Sequence, residues 1–262
     1  MSDAAGPGTG VKGKVVLVTG GAAGLGFGAA KMLVDRGARV ALLDRPTSQG
    51  AQAAAALGPQ AAFFAADVTD ADRVERAVTE AVAHFGRIDV YLGAAGVNAN
   101  ERMLSRRGAL HTLDSFRRTV EVNLVGAFDV MRHAVAAMSR NEAGTDGERG
   151  LLINVASIAA YDGSAGQSAY AASKGGLVAL TLPLARDLAE WGIRVMTICP
   201  GVMDTAMLVG LDDRLRAAVE KLPVFPKRLG RPEDFGALVI SLIEQPWLNG
   251  EIIRLDAATR LS

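Results

Sequence analysis

A strand, a glycine-rich turn, a helix and a second strand ending in an acid follow one another in KVVLVTGGAAGLGFGAAKMLVDRGARVALLD. Few folds accept that order. Val15 to Val18 are a continuous apolar run, as expected of a strand buried on both faces. Thr19-Gly20-x-x-x-Gly24-x-Gly26 comes next, and apolar residues then recur at helical spacing to about Arg36. Arg39 to Leu43 reads as a second buried strand, closed by Asp44. This is the arrangement that binds dinucleotides. Glycines let backbone approach a pyrophosphate, and the helix N-terminus stabilises its charge. Asp44, 18 residues after Gly26, is placed to accept hydrogen bonds from ribose hydroxyls.

Further along, Tyr170 and Lys174 stand four residues apart in SAYAASKGGLVALTL, and Ser157 lies 13 residues before Tyr170. If this stretch opens a helix, the phenol and the ammonium share one face. A tyrosine left alone titrates at about 10. A neighbouring cation favours phenolate, so the pair is expected to lower the phenol's pKa and move a proton at an alcohol or ketone oxygen. Ser157, at the end of a buried strand, is expected to hydrogen-bond the same oxygen. Tyr-x-x-x-Lys alone describes many exposed helices. The dinucleotide pattern upstream is what gives it weight.

Strand patterns centre near Val15, Val40, Phe63, Val90, Ile153, Val195 and Ile252, with helical patterns between them. Right-handed crossovers make that alternation an α/β fold with a Rossmann-type doubly wound sheet of seven mostly parallel strands. No linker-like break divides the 262 residues, so one domain is expected over 12–262 after a flexible segment, 1–11. Thr19, Asp44, Asp67, Gly96, Ser157 and Pro200 each fall just after a strand and should meet at the carboxyl edge of the sheet, where ligands bind. The stretch 203–225 breaks the alternation. It carries Met203, Met207, Leu208, Leu211 and Leu215 and reads either as a substrate lid or as a helix pair closing the fold.

The 28 basic and 28 acidic residues balance, so charge points to neither nucleic acid nor a membrane surface. No apolar stretch reaches spanning length. MSDAAGPGTG lacks the form of a secretory signal, and a cytoplasmic location is expected. Cys199 is the only cysteine and reads as a small buried hydrophobe. His84, His111 and His133 have no metal-ligand spacing, so no metal is expected. His84 falls at a helix end before Gly86.

Taken together, these motifs resemble the short-chain dehydrogenase/reductase family from about Lys12 to the C-terminus. The family's glycine motif matches Thr19 to Gly26, its acid and valine at the adenine match Asp67 and Val68, and its helix asparagine matches Asn123. Its catalytic serine, tyrosine and lysine match Ser157, Tyr170 and Lys174, and its Pro-Gly matches Pro200-Gly201, with Thr205 shortly after. The resemblance implies that Asn123 holds a proton-relaying water and that Lys174 also grips the nicotinamide ribose. It implies a cofactor site of Thr19, Gly20, Gly24, Leu25, Gly26, Asp44, Asp67, Val68, Gly96, Tyr170, Lys174, Pro200, Gly201, Val202 and Thr205. The substrate is expected to meet Ser157, Gln167, Met203, Met207 and Leu208.

A finer resemblance is to the family's type 2 3-hydroxyacyl-CoA dehydrogenase (17-beta-hydroxysteroid dehydrogenase type 10) subgroup. It is carried by the segment from Ser168 to Gly201, by VFPKRLGRPEDFGALVISLIEQPWLNGEIIRLDAATRL, by GALHTLDSFRRTVEVNLVGAF, by NEAGTDGERGLLINVAS and by the long loop Asn98 to Thr112. It implies an acyl-CoA substrate, and the family resemblance a homotetramer; NAD is the expected cofactor because Asp44 should repel the 2′-phosphate of NADP, with Arg45 beside it the competing signal, since arginine accommodates that phosphate. The alternatives are a hydroxysteroid or other apolar secondary alcohol, an acyl-carrier-protein thioester, or a non-catalytic binding or scaffold subunit. Two departures stand out. Gly93-Ala94-Ala95-Gly96 lacks the asparagine usual after the fourth strand, so a modest stability cost is expected. Asp256-Ala257-Ala258 replaces a usual Asp-Gly, and an alanine forced to positive φ there would be strained.

Overall fold

A computed structural model describes residues 10–205 and 213–261. Seven strands form one sheet in the order β3-β2-β1-β4-β5-β6-β7. They are β1 Val15–Thr19, β2 Arg39–Asp44, β3 Ala61–Ala65, β4 Val90–Gly93, β5 Gly150–Val155, β6 Ile193–Pro200 and β7 Ile252–Leu255. All neighbouring strands pair parallel, where the sequence pattern left room for an exception. A helix lies in every connection, as parallel pairing requires. The helices are α1 Gly24–Asp35, α2 Gly50–Leu57, α3 Ala71–Phe85, α4 Leu113–Val120, α5 Ala127–Met138, α6 Ser168–Asp187, α7 Asp213–Val219 and α8 Pro232–Glu244.

Alternate residues of each strand feed two apolar layers. Val16, Val18, Leu42, Leu92, Ile153 and Ile198 pack with Leu33 of α1 and Phe235 of α8. Val15, Leu17, Leu43, Tyr91, Leu152 and Val195 pack with Val74 of α3 and Met131 of α5. Val11, at the far end of the expected flexible segment, is buried in the first layer. Local signals set helix ends. The Asp70 carboxylate accepts from the Arg73 amide at 3.0 Å and caps α3. Gly86, left-handed at φ 84°, ends that helix just after His84. Among the described residues no helix is long and apolar enough to cross a membrane.

Strand order reverses between β1 and β4, and this opens a crevice at the carboxyl edge. Thr19, Asp44 and Pro200 end their strands there. Asp67, Gly96 and Ser157 follow theirs by two or three residues.

Candidate active site

The turn from Thr19 to Gly26 has no room for side chains. Gly20 sits at φ 65°, and a Cβ there would lie 2.8 Å from the Ala95 amide nitrogen. A Cβ on Gly26 would lie 2.4 Å from the Gly20 carbonyl, so α1 starts hard against the strand end. Behind the turn, Asp44 accepts from the Ala22 amide at 3.0 Å with one oxygen and from the Arg45 amide at 2.8 Å with the other. The acid therefore braces the turn, and unused lone pairs remain for a diol. Asp67 accepts from the Thr69 amide at 3.0 Å and its hydroxyl at 2.8 Å. The amide bond, with nearby Arg45 and Arg118, holds this carboxyl below its ordinary range. Val68 is buried against the helix that carries Asn123.

Asn123 lies in a π-helical segment, Glu121–Gly126, between α4 and α5. Such segments recur at functional sites. Its amide accepts from the Val97 nitrogen at 2.7 Å and donates to the Val97 carbonyl at 2.9 Å and to Ser173 Oγ at 3.0 Å. Ser173 donates in turn to the Tyr170 carbonyl at 2.8 Å. Asn123 thus ties the loop after β4 to the catalytic helix. A Cβ built on Gly96 would lie 3.2 Å from Asn123 Oδ1 and 3.4 Å from Lys174 Nζ, so all three border one space.

Tyr170 and Lys174 fall in the first two turns of α6, as the spacing requires, with the ammonium 5.8 Å from the phenol ring centroid. Lys174 is 4% exposed and donates to the Val155 carbonyl at 2.8 Å. Burial pulls its pKa down to about 8. Burial also raises the Tyr170 phenol above its ordinary value, while hydrogen bonding with the Ser157 hydroxyl favours phenolate. This corrects the expected downward shift. Desolvation is the larger effect on the phenol and outweighs the Ser157 hydrogen bond. Ser157, two residues past β5, also accepts from the Ala159 amide at 3.1 Å and opens a 3-10 turn, Ile158–Ala160.

The start of the segment after β6 borders the crevice. A Cβ on Gly24 would meet Thr205 at 3.9 Å, so Thr205 faces the glycine turn. Gly201 donates to the Leu255 carbonyl at 2.9 Å, and the Val202 carbonyl accepts from Gly230 at 3.0 Å. Leu25 is half-buried, packed on the core beside the turn. Gln167 precedes α6, and its side chain accepts from the Ser164 amide at 3.1 Å. Met203 is buried against Gly230 at the base of the expected lid. Met207, Leu208 and Leu211 lie outside the described residues, and nothing is described of the Leu215 side chain.

The missing asparagine leaves no hole. A Cβ on Gly93 would lie 2.5 Å from the hydroxyl of Tyr91, which fills that volume, fully buried, and donates to the Ala127 carbonyl at 3.4 Å. Asn154 is paired in register with Gly93, 1% exposed, and neither amide atom finds a partner among the described residues. Tyr91 and Asn154 escaped the sequence reading because their roles depend on cross-strand register. The second departure is as expected: Ala257 and Ala258 have φ of 49° and 60°. Cys199 is buried and unpaired, its thiol pushed up to about 11 by burial, as suits a packing residue.

A 640 Å³ cavity lies elsewhere, among Lys12, Lys14, Arg39, Asp89 and Glu148 at the amino ends of the strands. Volume alone would misplace the site; the glycine turn, Asp44 and the Ser157-Tyr170-Lys174 set share the opposite edge.

A glycine cradle, an acid at the second strand and a serine-tyrosine-lysine set with its lysine buried define a dinucleotide-dependent oxidoreductase. Residues 14–215 match the short chain dehydrogenase family, and the chain belongs to it. Over 252 residues the chain is 48% identical to the 3-hydroxyacyl-CoA dehydrogenase type-2 of Bos taurus, covering 96% of this chain and 97% of the relative. The Homo sapiens protein of that name is 46% identical over the same coverage. The crystal structure of 3-hydroxyacyl-CoA dehydrogenase type-2 from Mycobacterium avium superposes with a TM-score of 0.89 at 36% identity, covering 95% of this chain and 96% of that one. Membership of the family implies a nicotinamide cofactor, NAD or NADP, and the cradle of Gly20 and Gly26 with the Asp44 carboxylate fits one.

Proposed function

We propose that the chain interconverts 3-hydroxyacyl-CoA and 3-oxoacyl-CoA with NAD. The observation that carries this reading is the half-buried Ser157-Tyr170 pair with the buried Lys174, beside the Thr19–Gly26 turn, in a chain this close to enzymes of that name. Bound nicotinamide supplies the hydride acceptor or donor. In oxidation Tyr170 takes the hydroxyl proton, and in reduction it returns one. Ser157 holds the same substrate oxygen. Lys174 spends one N–H on Val155 and keeps two donors for the ribose hydroxyls and for stabilising phenolate. Asn123 anchors the wall opposite, where a relaying water is part of the proposal.

NAD is proposed over NADP because Asp44 stands at the strand end, where a 2′-phosphate would meet its charge. Arg45, the competing signal, acts electrostatically on Asp67. For the thioester, support comes from the loop before α4. Glu101 donates its amide to the Gly166 carbonyl at 2.9 Å, which seats the loop beside the start of α6. Arg102, Arg106 and Arg107 are exposed on that loop, and none has an ion-pair partner among the described residues. These three cations are proposed to meet the phosphates of coenzyme A.

A substrate panel with purified protein tests the reading. Hydroxyacyl-CoA efficiency should rise with chain length, since a buried methylene contributes about 0.8 kcal/mol. It should fall at high salt and when the three arginines become alanine. No turnover of any 3-hydroxyacyl-CoA would move the assignment to another secondary alcohol.

A homotetramer is part of the proposal. Val125 and Phe128 near α5, Leu182 on α6 and Trp247 after α8 are exposed, and β7 is a half-buried edge strand. A monomeric mass by light scattering at micromolar concentration would reject it. A cytoplasmic setting is proposed with it, since the buried, unpaired Cys199 leaves the fold no need of an oxidising compartment.

A further inference from the structure

The two positive-φ alanines lie in a turn that joins the Ser157 turn, the strand end at Gly201 and the segment ending at Phe225. The Arg254 guanidinium, on β7, donates to Asp162 Oδ2 at 2.6 Å, to Asp256 Oδ2 at 2.7 Å and to the Thr259 carbonyl at 3.0 Å. It also stands 5.5 Å from the Tyr161 ring centroid. Asp162 and Tyr161 close the 3-10 turn that Ser157 opens, both donating their amides to the Ile158 carbonyl. Asp256 accepts from the Ala258 amide at 3.0 Å and from Arg260 at 3.2 Å. A Cβ on Gly201 would lie 2.7 Å from Asp256 Cα, so the turn also lies on the strand end expected at the cofactor. The Ala257 carbonyl accepts from the Val224 amide at 2.9 Å and from Phe225 at 3.4 Å, which hangs the end of the expected lid from the same turn.

Left-handed backbone persists at alanine only where surrounding contacts over-determine it. Here the determinants are the Arg254 fork and the Asp256 cap. Arginine suits this place, because its planar fork serves Asp162, Asp256 and a carbonyl together. Asp162 and Arg254 are 92 residues apart, so the contact is tertiary.

We propose that Arg254 is a positioning residue: through Asp162 and the 256–259 turn it fixes the Ser157 turn and the lid root relative to each other. The inference rests on the dehydrogenase reading for its kinetic consequence only. Disturbing the fork then frees the substrate side first and reaches the dinucleotide side only at Gly201, while the cradle on β1, α1 and β2 stays as it was.

The test compares wild type, Arg254→Met and Asp162→Asn by deuterium uptake, by NAD affinity and by kinetics on any alcohol the wild type oxidises. Both variants should exchange about tenfold faster over 157–162 and over 223–226. KM for the alcohol should rise at least about fivefold while the NAD dissociation constant stays within about twofold. A merely structural loss would lower stability without separating these readouts. If Arg254→Met does not fold, Asp162→Asn, isosteric and near the surface, decides alone. Unchanged exchange, or faster exchange in only one segment, overturns the inference. If the wild type oxidises no alcohol, the proposed reaction fails, and the exchange result still decides the clamp.

Discussion

Replacing Lys174 with methionine should stabilise the fold while removing turnover. The ammonium is 4% exposed, and burial draws its pKa from 10.5 to about 8. Holding it charged at pH 7 therefore costs the folded state about 3 kcal/mol, at 1.36 kcal/mol per pKa step. Methionine keeps most of the apolar stem but leaves the Val155 carbonyl without its donor, a loss of about 1–2 kcal/mol. The variant should be the more stable by about 1–2 kcal/mol at pH 7. The sign of the pH dependence follows from the depressed pKa. Below pH 8 both states of the wild type are protonated and the whole penalty is present. From there towards 10.5 the unfolded chain binds more protons than the folded one, so wild-type stability rises with pH. The gap between the proteins should shrink by about 1 kcal/mol from pH 7 to pH 9. Urea unfolding at both pH values, with protein concentration matched because any assembly adds to stability, measures it. A gap independent of pH would refute the reasoning, as would a variant less stable than wild type at pH 7.

Tyr170→Phe should remove turnover while leaving NAD affinity nearly unchanged; retention of more than about a tenth of wild-type rate would take the phenol out of the mechanism. Asp44 should give NAD at least about a tenfold advantage in kcat/KM, roughly 1.4 kcal/mol, and equal use of the two cofactors would show Arg45 offsetting the acid. Gly93→Asn should destabilise by about 2 kcal/mol through collision with Tyr91, and Tyr91→Val should restore most of that loss. Additive effects in urea unfolding would show that the two positions do not share one volume.

The element order, the parallel sheet and the edge carrying the site were legible in the sequence, because each depends on local chemistry. A buried parallel strand reads as an apolar run, as at Val15–Val18 and Ile193–Ile198. A tight turn against a phosphate demands glycine at Gly20 and Gly26 whatever surrounds them. Tyr170 and Lys174 share a helix face by their spacing alone. What the tertiary structure decided depends on neighbours distant in the chain. The sign of the Tyr170 shift was set by burial, which the pair's spacing does not encode. The space beside Gly93, where a stability cost was expected, is filled by Tyr91, and Asn154, its partner in register, has no hydrogen-bond partner for its side chain among the described residues. The positive φ at Ala257 was anticipated from one departure, but the contacts around that turn required Arg254 to meet Asp162 across 92 residues. Sequence carries the requirements a residue imposes on its own backbone; only the folded chain assigns partners to a buried charge.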